Sequence, residues 1–248
     1  MMENANNTSA TDSLTVGGMV AEDYRKAEVF RKYGIDYCCG GNKSLDEVCN
    51  KKGLPVEDVQ KELAAVENNP GNPSGDYNRW DLDFLSDYIV NTHHKYVAES
   101  LPMLHELSAK VARVHGENHP ELVEMAKYVE ALGQELSMHM HKEEAILFPY
   151  IREIAEAKRS GTTPQASPFG TVANPIQMME REHDDAGDAT KELEKLSNGF
   201  TPPVDACRSY TVYFAKLNEF VLDLHQHIHL ENNILFPKAL RLEQELLS

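Results

Sequence analysis

One phrase of histidine and glutamate is written twice in this chain. HMHKEEAILFP begins at His139, HIHLENNILFP begins at His227, and the two stretches align without a gap. In each copy a glutamate, Glu143 or Glu231, follows the first histidine by four residues. Residues at this spacing lie on the same face of a helix. Imidazole and carboxylate groups together suit iron, manganese or zinc, so the repeat predicts a metal site.

A single histidine precedes each copy of the phrase. His94 and His183 stand 89 residues apart, so the chain twice shows a helix with one histidine and then a helix with His-x-x-x-Glu. A bundle with a pseudo-two-fold axis would point all of these side chains into one core. They would give each of two metals about four protein ligands, with room for a bridging oxygen and a small molecule, and carboxylate bridging favours iron. The predicted ligands are His94, His139, Glu143, His183, His227 and Glu231.

The other histidines call for a different interpretation. A lone His-x-x-x-Glu pair on an exposed helix is usually a solvated contact, but the gapless duplication argues against that here. His141 and His229 also recur, yet they lie about 200° around the helix from the first histidine, which predicts outer-shell or surface positions. His94 is preferred to its neighbour because it is in phase with Val90, Val97 and Leu101. Surface positions are predicted for His93, His105, His119 and His225.

The composition is typical of a globular protein with acidic character. Apolar residues make up 41% and charged residues 26% of the 248, and the formal net charge is −16. Such a charge argues against nucleic acid and anionic membranes as partners. The sequence shows no apolar run that could span a bilayer and no secretion signal near its start. A cytoplasmic protein with reduced thiols is therefore expected.

Helical patterns dominate the chain and predict an all-α fold. Residues 1–14 are expected to be a disordered tail, 15–67 a small helical domain, 68–79 a linker, and 80–248 a four-helix bundle. The small domain should contain a helix over about 18–33, another after the capping box SLDE, and a third from Pro55. The bundle helices are predicted at about 81–115, 120–159, 175–197 and 203–246. Pro149 and Pro237 should perturb their helices at equivalent places.

Two adjacent cysteines, Cys38 and Cys39, precede Gly40-Gly41 in the small domain. Neighbouring cysteines cannot easily close a disulfide, and two thiols alone make a poor tetrahedral metal site. One interpretation is a turn that buries two small residues. The other is a pair of exposed thiols that are redox-active, accept a nitrosyl group or dock on iron. Cys49 and Cys207 are predicted to be packing residues.

The sequence resembles a known family at these motifs. The duplicated His/Glu set, with EHDDAG around His183, resembles hemerythrin-like four-helix bundles, and GIDYCCGGNKSL resembles the cysteine-pair domain that precedes such a bundle in the RIC family, for repair of iron centres. The resemblance implies that the six predicted residues hold an oxo- or hydroxo-bridged di-iron centre. Glu231 departs from oxygen-carrying hemerythrins, which use a differently spaced aspartate and an extra histidine. Glu182 and His115 occupy positions where the family tends to keep glutamate and histidine.

The function implied by the resemblance is repair of iron–sulfur clusters damaged by nitric oxide or oxidative stress. The di-iron centre would bind or reduce NO, or donate iron, so NO-reducing enzyme activity is an open expectation. Cys38 and Cys39 would then be redox thiols on a tethered domain. Damaged iron–sulfur proteins would be the partners, NO or O2 the small ligand, and a homodimer one expected assembly. The alternative is a hemerythrin-type carrier or sensor of O2 or NO.

Overall fold

The computed structural model describes residues 15–68, 77–165 and 167–248. Within these ranges the regular secondary structure is helical, apart from an isolated antiparallel bridge between Thr15 and Ser44. The chain divides into two compact units. The first comprises the chain up to Trp80 together with His229–Pro237, and the second comprises Asp81–Ile228 with Lys238–Ser248. The expected tail and residues 69–76 of the expected linker lie outside the described residues.

Short helices build the first unit. They are α1 (Val16–Glu22), α2 (Lys26–Lys32), α3 (Leu45–Lys52) and α4 (Val56–Asn68), followed by a 3-10 turn at Tyr77–Arg79. The prediction of one helix over 18–33 is wrong because Asp23 adopts extended backbone and its carboxylate accepts hydrogen bonds from the backbone and guanidinium of Arg25. The predicted cap at Ser44 is confirmed, since its hydroxyl accepts the Glu47 N–H at 3.2 Å.

Long helices build the rest of the described chain, and the all-α bundle is confirmed. Three of them contain a π-helical segment. The elements are α5 (Leu82–Ile89), π1 (Val90–His94), α6 (Lys95–His115), α7 (Glu121–Lys142), π2 (Glu143–Leu147), α8 (Phe148–Ser160), α9 (Ala173–Leu196), α10 (Arg208–Leu230), π3 (Glu231–Leu235) and α11 (Phe236–Leu247). Helix α10 starts later than the predicted residue 203 because a turn intervenes, in which the Ala206 N–H bonds the Pro203 carbonyl. Among the described residues, no helix combines the length and apolar character needed to cross a bilayer.

The two prolines of the repeat do perturb their helices at equivalent places. Pro149 and Pro237 each stand two residues after a π segment, π2 and π3. Proline has no N–H to donate and its ring crowds the preceding turn, and a π segment widens the helix there. Segment π1 has no proline, and it ends at His94. The widened turns therefore fall on predicted ligands: His94 ends one, and Glu143 and Glu231 begin the others.

Apolar side chains pack the bundle unit on both sides of the predicted ligands. On one side of them along the helices lie Leu85, Ile89 and Ile154, and on the other lie Met125, Leu193 and Leu217, all fully or almost fully buried. Glu243 fixes the connection that enters α9. Its carboxylate accepts the Tyr150 hydroxyl at 2.8 Å and the Val172 N–H at 2.9 Å. The start of α9, and with it the position of His183, is thereby tied to α11.

Candidate metal centre

Each of the four long helical segments supplies one predicted histidine to the bundle interior. His94 comes from π1, His139 from α7, His183 from α9 and His227 from α10. Their exposures lie between 0% and 3%. Four imidazoles buried in one apolar core are costly unless each nitrogen has a partner. The structure therefore places all four imidazoles where bound cations would accept their nitrogen lone pairs.

The imidazoles meet in two pairs. His94 Nε2 lies 3.1 Å from His227 Nε2, and His139 Nε2 lies 3.0 Å from His183 Nε2. Metal–nitrogen bonds of about 2.1 Å at right angles would place two ligating nitrogens about 3.0 Å apart. The spacing of each pair therefore fits two ligands of one ion. The pairs also follow the sequence repeat, since His94 corresponds to His183 and His227 to His139.

Glu143 stands between the two pairs. The side chain is fully buried, and its Oε2 lies 3.4 Å from His94 Nε2 and 3.3 Å from His139 Nε2. The ligand atoms of Glu143, His94 and His227 lie within 4.8 Å of one another, as do those of Glu143, His139 and His183. A buried carboxylate needs compensating positive charge. Ions at the two histidine pairs would supply it, and one carboxylate could then bridge them.

Glu231 is the counterpart of Glu143 in the second copy of the repeat. It follows His227 by four residues on the same continuous helix, opens π3 and is fully buried. The spacing places its carboxylate on the His227 face of that helix. Its role as a ligand stays a prediction, supported by burial and by the equivalence of the two copies.

Carboxylates outside the core hold two of the imidazoles by their other ring nitrogen. His94 Nδ1 lies 2.8 Å from Glu144 Oε1, and His139 Nδ1 lies 2.8 Å from Glu182 Oε2. When Nδ1 carries the proton and donates it to a carboxylate, the Nε2 lone pair is left to face a cation. Each histidine pair thus contains one imidazole oriented in this way. Histidines that bind metals commonly have such a carboxylate on their other ring nitrogen, which fixes the tautomer and the orientation of the ring.

Glu182 is kept ionised by its surroundings. Partial burial alone would raise its pKa, but hydrogen bonds from the Lys142 ammonium and from His139 outweigh burial, so the pKa is lowered. The sequence singled out Glu182 through family resemblance, whereas it gave no reason to choose Glu144. In the repeat the positions equivalent to Glu144 and Glu182 hold Asn232 and His93, so the outer carboxylates do not follow the duplication.

The surface prediction for His93 is wrong. The ring is 2% exposed, its Nδ1 lies 3.0 Å from Asp223 Oδ1, and it stacks on His227 with centroids 5.7 Å apart. Helical phase alone does not show which of His93 and His94 points inward, because both side chains lie on the buried face of this helical segment. The sequence signal that could have indicated burial is Asp223, a carboxylate one helical turn before His227.

His141 and His229 occupy equivalent places in the repeat but different environments. His141 is exposed, as predicted, whereas His229 is fully buried against the rings of Tyr24 and Tyr37. Burial lowers the pKa of His229 to about 4, so the ring is neutral at physiological pH. The surface alternative for His229 is therefore wrong, because the N-terminal chain covers the second copy within the first unit.

The other histidines and cysteines with predicted surface or packing positions lie outside this centre. His105 is exposed, and His119 and His225 are half-buried. The packing prediction holds for buried Cys49 but is wrong for Cys207, whose exposed thiol lies 3.1 Å from His115 Nε2 at the end of α6.

The cysteine pair is less accessible than expected. Cys38 is 5% exposed and Cys39 is half-buried, and their sulfurs lie 3.9 Å apart, too far for a disulfide. The hydrogen bond to Cys39, together with burial, raises the pKa of the Cys38 thiol well above its usual range. Cys38 is therefore protonated at neutral pH and is a weak nucleophile in this conformation. Of the two interpretations of the cysteine pair, the buried turn describes Cys38 and full exposure describes neither thiol, because the loop folds back on Asp36.

Asn233 in π3 holds this loop, and sequence reasoning missed it. Its Nδ2 donates to the carbonyls of Cys38 at 3.0 Å and Tyr37 at 3.3 Å. A Cβ at Gly17 or Gly41 would come within 2.1 or 2.4 Å of Asn233 Oδ1, so only glycine fits against this amide. The first copy of the repeat has Ala145 at this position. That difference between otherwise matching copies is the signal that could have identified the contact.

A helical bundle in which each long helix brings a buried histidine to a carboxylate defines a hemerythrin-like cation-binding protein. The family model described as "Hemerythrin HHE cation binding domain" matches residues 85–239, and that of a "Domain of Unknown function (DUF542)" matches residues 12–67. Both parts of the resemblance seen in the sequence are thereby confirmed.

Relatives that match almost the whole chain define the family further. Two of them are each named "Iron-sulfur cluster repair protein YtfE". The protein from Yersinia pestis (strain Pestoides F) is 36% identical over 92% of this chain and 96% of its own length, and that from Citrobacter koseri is 39% identical over 87% and 91%. The chain belongs to the family of these YtfE proteins.

Proposed function

We propose that this chain holds a pair of iron ions in the bundle and acts in the repair of damaged iron–sulfur clusters. The observation that carries the proposal is the placing of two imidazole pairs, at Nε2 separations of 3.0 and 3.1 Å, on either side of the Glu143 carboxylate. The repair role comes from the relatives, whose names describe that activity. Family membership and a donor set that suits iron support extending it to this chain.

The predicted ligands would form two metal-binding positions. His94 and His227 would hold one ion, His139 and His183 the other, and Glu143 would join them. Glu231 would supply the second shared carboxylate, by its equivalence to Glu143 in the repeat. When bound, the irons would supply redox chemistry and a place for a small molecule such as NO. Outer carboxylates Glu144 and Glu182 keep the Nε2 lone pairs turned inward.

Repair under nitrosative or oxidative stress is the specific form of this function that we propose. The centre would bind or reduce NO, or release iron to a damaged iron–sulfur protein. A carrier or sensor of O2 or NO would need the same bundle, but it would have no use for the adjoining cysteine pair. Cys38 and Cys39, which lie in the segment matched by the DUF542 family model, therefore favour repair.

Metal analysis with Mössbauer spectroscopy, before and after NO, tests the metal part of the proposal. The purified chain should contain a pair of antiferromagnetically coupled irons whose spectrum changes with NO. Glu143→Ala should weaken iron binding by at least about tenfold, because even outer partners of metal ligands contribute about 10–100-fold. Glu135→Ala, at an exposed position of α7, the helix that continues into π2, is the matched control and should keep the coupled pair. Coupled irons retained in Glu143→Ala would refute the bridging role.

The repair part needs a separate measurement. An iron–sulfur enzyme damaged by NO in a cell extract should recover activity when the iron-loaded chain is added, and the iron-depleted chain should give less recovery. Equal recovery with both forms, or none with either, would refute a repair role that depends on the metal centre while leaving the metal analysis intact.

A further inference from the structure

We propose that Asp36, Cys38 and Cys39 form a separate binding site for a single thiophilic divalent cation within the first unit. The two sulfurs and a carboxylate oxygen of Asp36 lie within 4.8 Å of one another. This site shares no residue with the six predicted ligands of the bundle, and its existence does not depend on them.

The distance between the sulfurs fits chelation of one ion. The Sγ atoms of Cys38 and Cys39 are 3.9 Å apart. Two thiolates bound to one tetrahedral ion at about 2.3 Å would stand about 3.8 Å apart. The sequence suggested that two adjacent thiols alone would be a poor tetrahedral site, and the structure supplies what that argument lacked, namely a third ligand. Asp36 gives a set of three protein donors, which leaves a fourth position for water or an exchanging ligand.

The loop holds this geometry before any ion arrives. Asp36 Oδ1 accepts the backbone N–H groups of Cys38, Cys39 and Gly40 at 3.2, 3.0 and 3.1 Å. The carboxylate is thereby fixed beside both thiols. A Cβ at Gly40 would come within 3.0 Å of the Asp36 carbonyl, so glycine permits the chain to close over it. A preformed ligand set binds with less loss of conformational freedom than a flexible one.

The burial pattern suits an ion that enters and leaves. Cys38 is buried, while Cys39 and Asp36 are only half-buried. Chelation would replace the two thiol protons by metal–sulfur bonds. One divalent ion would enter, two protons would leave, and no atom would change oxidation state. Because adjacent cysteines close a disulfide only with strain, the ligands resist oxidative loss to each other.

A cadmium titration of the full-length, iron-containing protein tests the site. Thiolate-to-cadmium charge-transfer absorption reports sulfur ligation alone, and histidine and carboxylate ligands in the bundle do not produce it. The titration should saturate at one cadmium per chain in the Cys207→Ser background, with release of about two protons per ion in weakly buffered solution.

Variants with matched controls identify the ligands. Cys39→Ser should remove the two-thiolate signal, whereas Cys49→Ser, a buried cysteine of the same unit, should retain it. Asp36→Asn should keep an acceptor for the three N–H groups but weaken cadmium binding by at least about tenfold, since it removes a charged ligand. Circular dichroism and iron content should match wild type in each variant.

Three results would overturn the proposal. The first is charge-transfer absorption that survives in Cys38→Ser/Cys39→Ser, which would place the ion elsewhere. The second is saturation at one cadmium per two chains with a doubled mass in solution, which would show bridging between molecules. The third is Asp36→Asn binding cadmium as tightly as wild type, which would reduce the site to two thiols. Each result is independent of whether the bundle holds its irons.

Discussion

Glu144 and Glu182 show how single residues decide what the neighbouring imidazoles can do. Each lies 2.8 Å from the Nδ1 of one histidine, from which it can accept a hydrogen bond, and the two histidines belong to different Nε2 pairs. A neutral imidazole can present its lone pair at either nitrogen, and the outer carboxylate selects the one that faces inward. A negative charge at this place also makes the imidazole more basic, and hence a stronger ligand.

Glu182→Gln and Glu144→Gln should each lower the affinity for iron by about 10–100-fold. The amide oxygen of glutamine can still accept the hydrogen bond from Nδ1, so the loss of affinity reports the charge more than the orientation of the ring. Competition with a chelator of known affinity measures the effect. Glu135→Gln serves as the exposed control on α7. If both variants bound iron as tightly as wild type, the outer carboxylates would have no part in setting the ligands.

The inner residues of the candidate site could be chosen from their spacing in the sequence, whereas Glu182 was indicated only by the family resemblance and Glu144 was not indicated at all. His139, Glu143, His227 and Glu231 stand at a spacing that selects one face of a helix, and duplication marks that face. Glu144 follows Glu143 directly, and only the approach of a different helix, the one bearing His94, gives it a partner. Such contacts depend on how two helices pack against each other. The periodicity of a single helix carries no information about that packing.

At the scale of elements, the two copies of the repeat have diverged where the second one meets the N-terminal chain. His229 and Asn233 flank Glu231 on the same helix and contact Tyr37 and Cys38. Their counterparts, His141 and Ala145, are both exposed. One turn of helix therefore carries a predicted ligand, Glu231, and the side chain, Asn233, that bonds the loop bearing Cys38 and Cys39. The π segment begins at that ligand, and no periodicity in the sequence predicts it.

Asn233→Ala should loosen the attachment of the loop that bears Cys38 and Cys39 to this helix. The change makes the position match Ala145 and removes two hydrogen bonds to backbone carbonyls. Loss of bonds of this kind costs about 1–3 kcal/mol, which corresponds to an increase of about 5- to 150-fold in the population of an opened loop. The rate at which iodoacetamide alkylates Cys38 should rise accordingly, as measured by mass spectrometry of the labelled peptide.

Ala145→Asn, the reciprocal change at the exposed equivalent position in the first copy, is the control for Asn233→Ala and should leave alkylation unchanged. Gly41→Ala should act like Asn233→Ala, because its Cβ would come within 2.4 Å of the amide oxygen. An alkylation rate that stays at the wild-type value in both Asn233→Ala and Gly41→Ala would show that this amide does not control access to the thiol.

The helical architecture as a whole was more predictable than its interruptions. The four long helices follow from apolar periodicity and from glycine or proline at their ends, and their predicted bounds are close to the observed ones apart from the start of α10. The break between α1 and α2 escaped prediction because it depends on a local contact of Asp23 with Arg25. Contacts across three residues can override a weak helical preference.

At the scale of the molecule, a bundle that buries so many polar side chains should depend on its ions for stability. His94, His139, Glu143, His183 and His227 are all at most 3% exposed, and His93 lies beside them. Without cations, burial of the carboxylate must be offset by protonated imidazoles, which are themselves costly in an apolar core. Ions that bind the folded chain and not the unfolded one stabilise it by mass action, by about 4 kcal/mol at a thousand times the dissociation constant.

Removal of iron should therefore lower the melting temperature by roughly 10 °C, since about 1 kcal/mol corresponds to a shift of 2–4 °C in a chain of this size. Calorimetry of the iron-loaded protein and of the protein after chelation and dialysis, with iron content measured in both, gives the shift. The Cys38→Ser/Cys39→Ser variant should show the same loss, because its bundle ligands are intact and the thiol site is separate. A melting temperature that did not change on verified removal of iron would mean that the buried set satisfies itself by hydrogen bonds. In that case the 3.0 and 3.1 Å imidazole contacts would be N–H···N bonds, and the metal pair would have no role in folding.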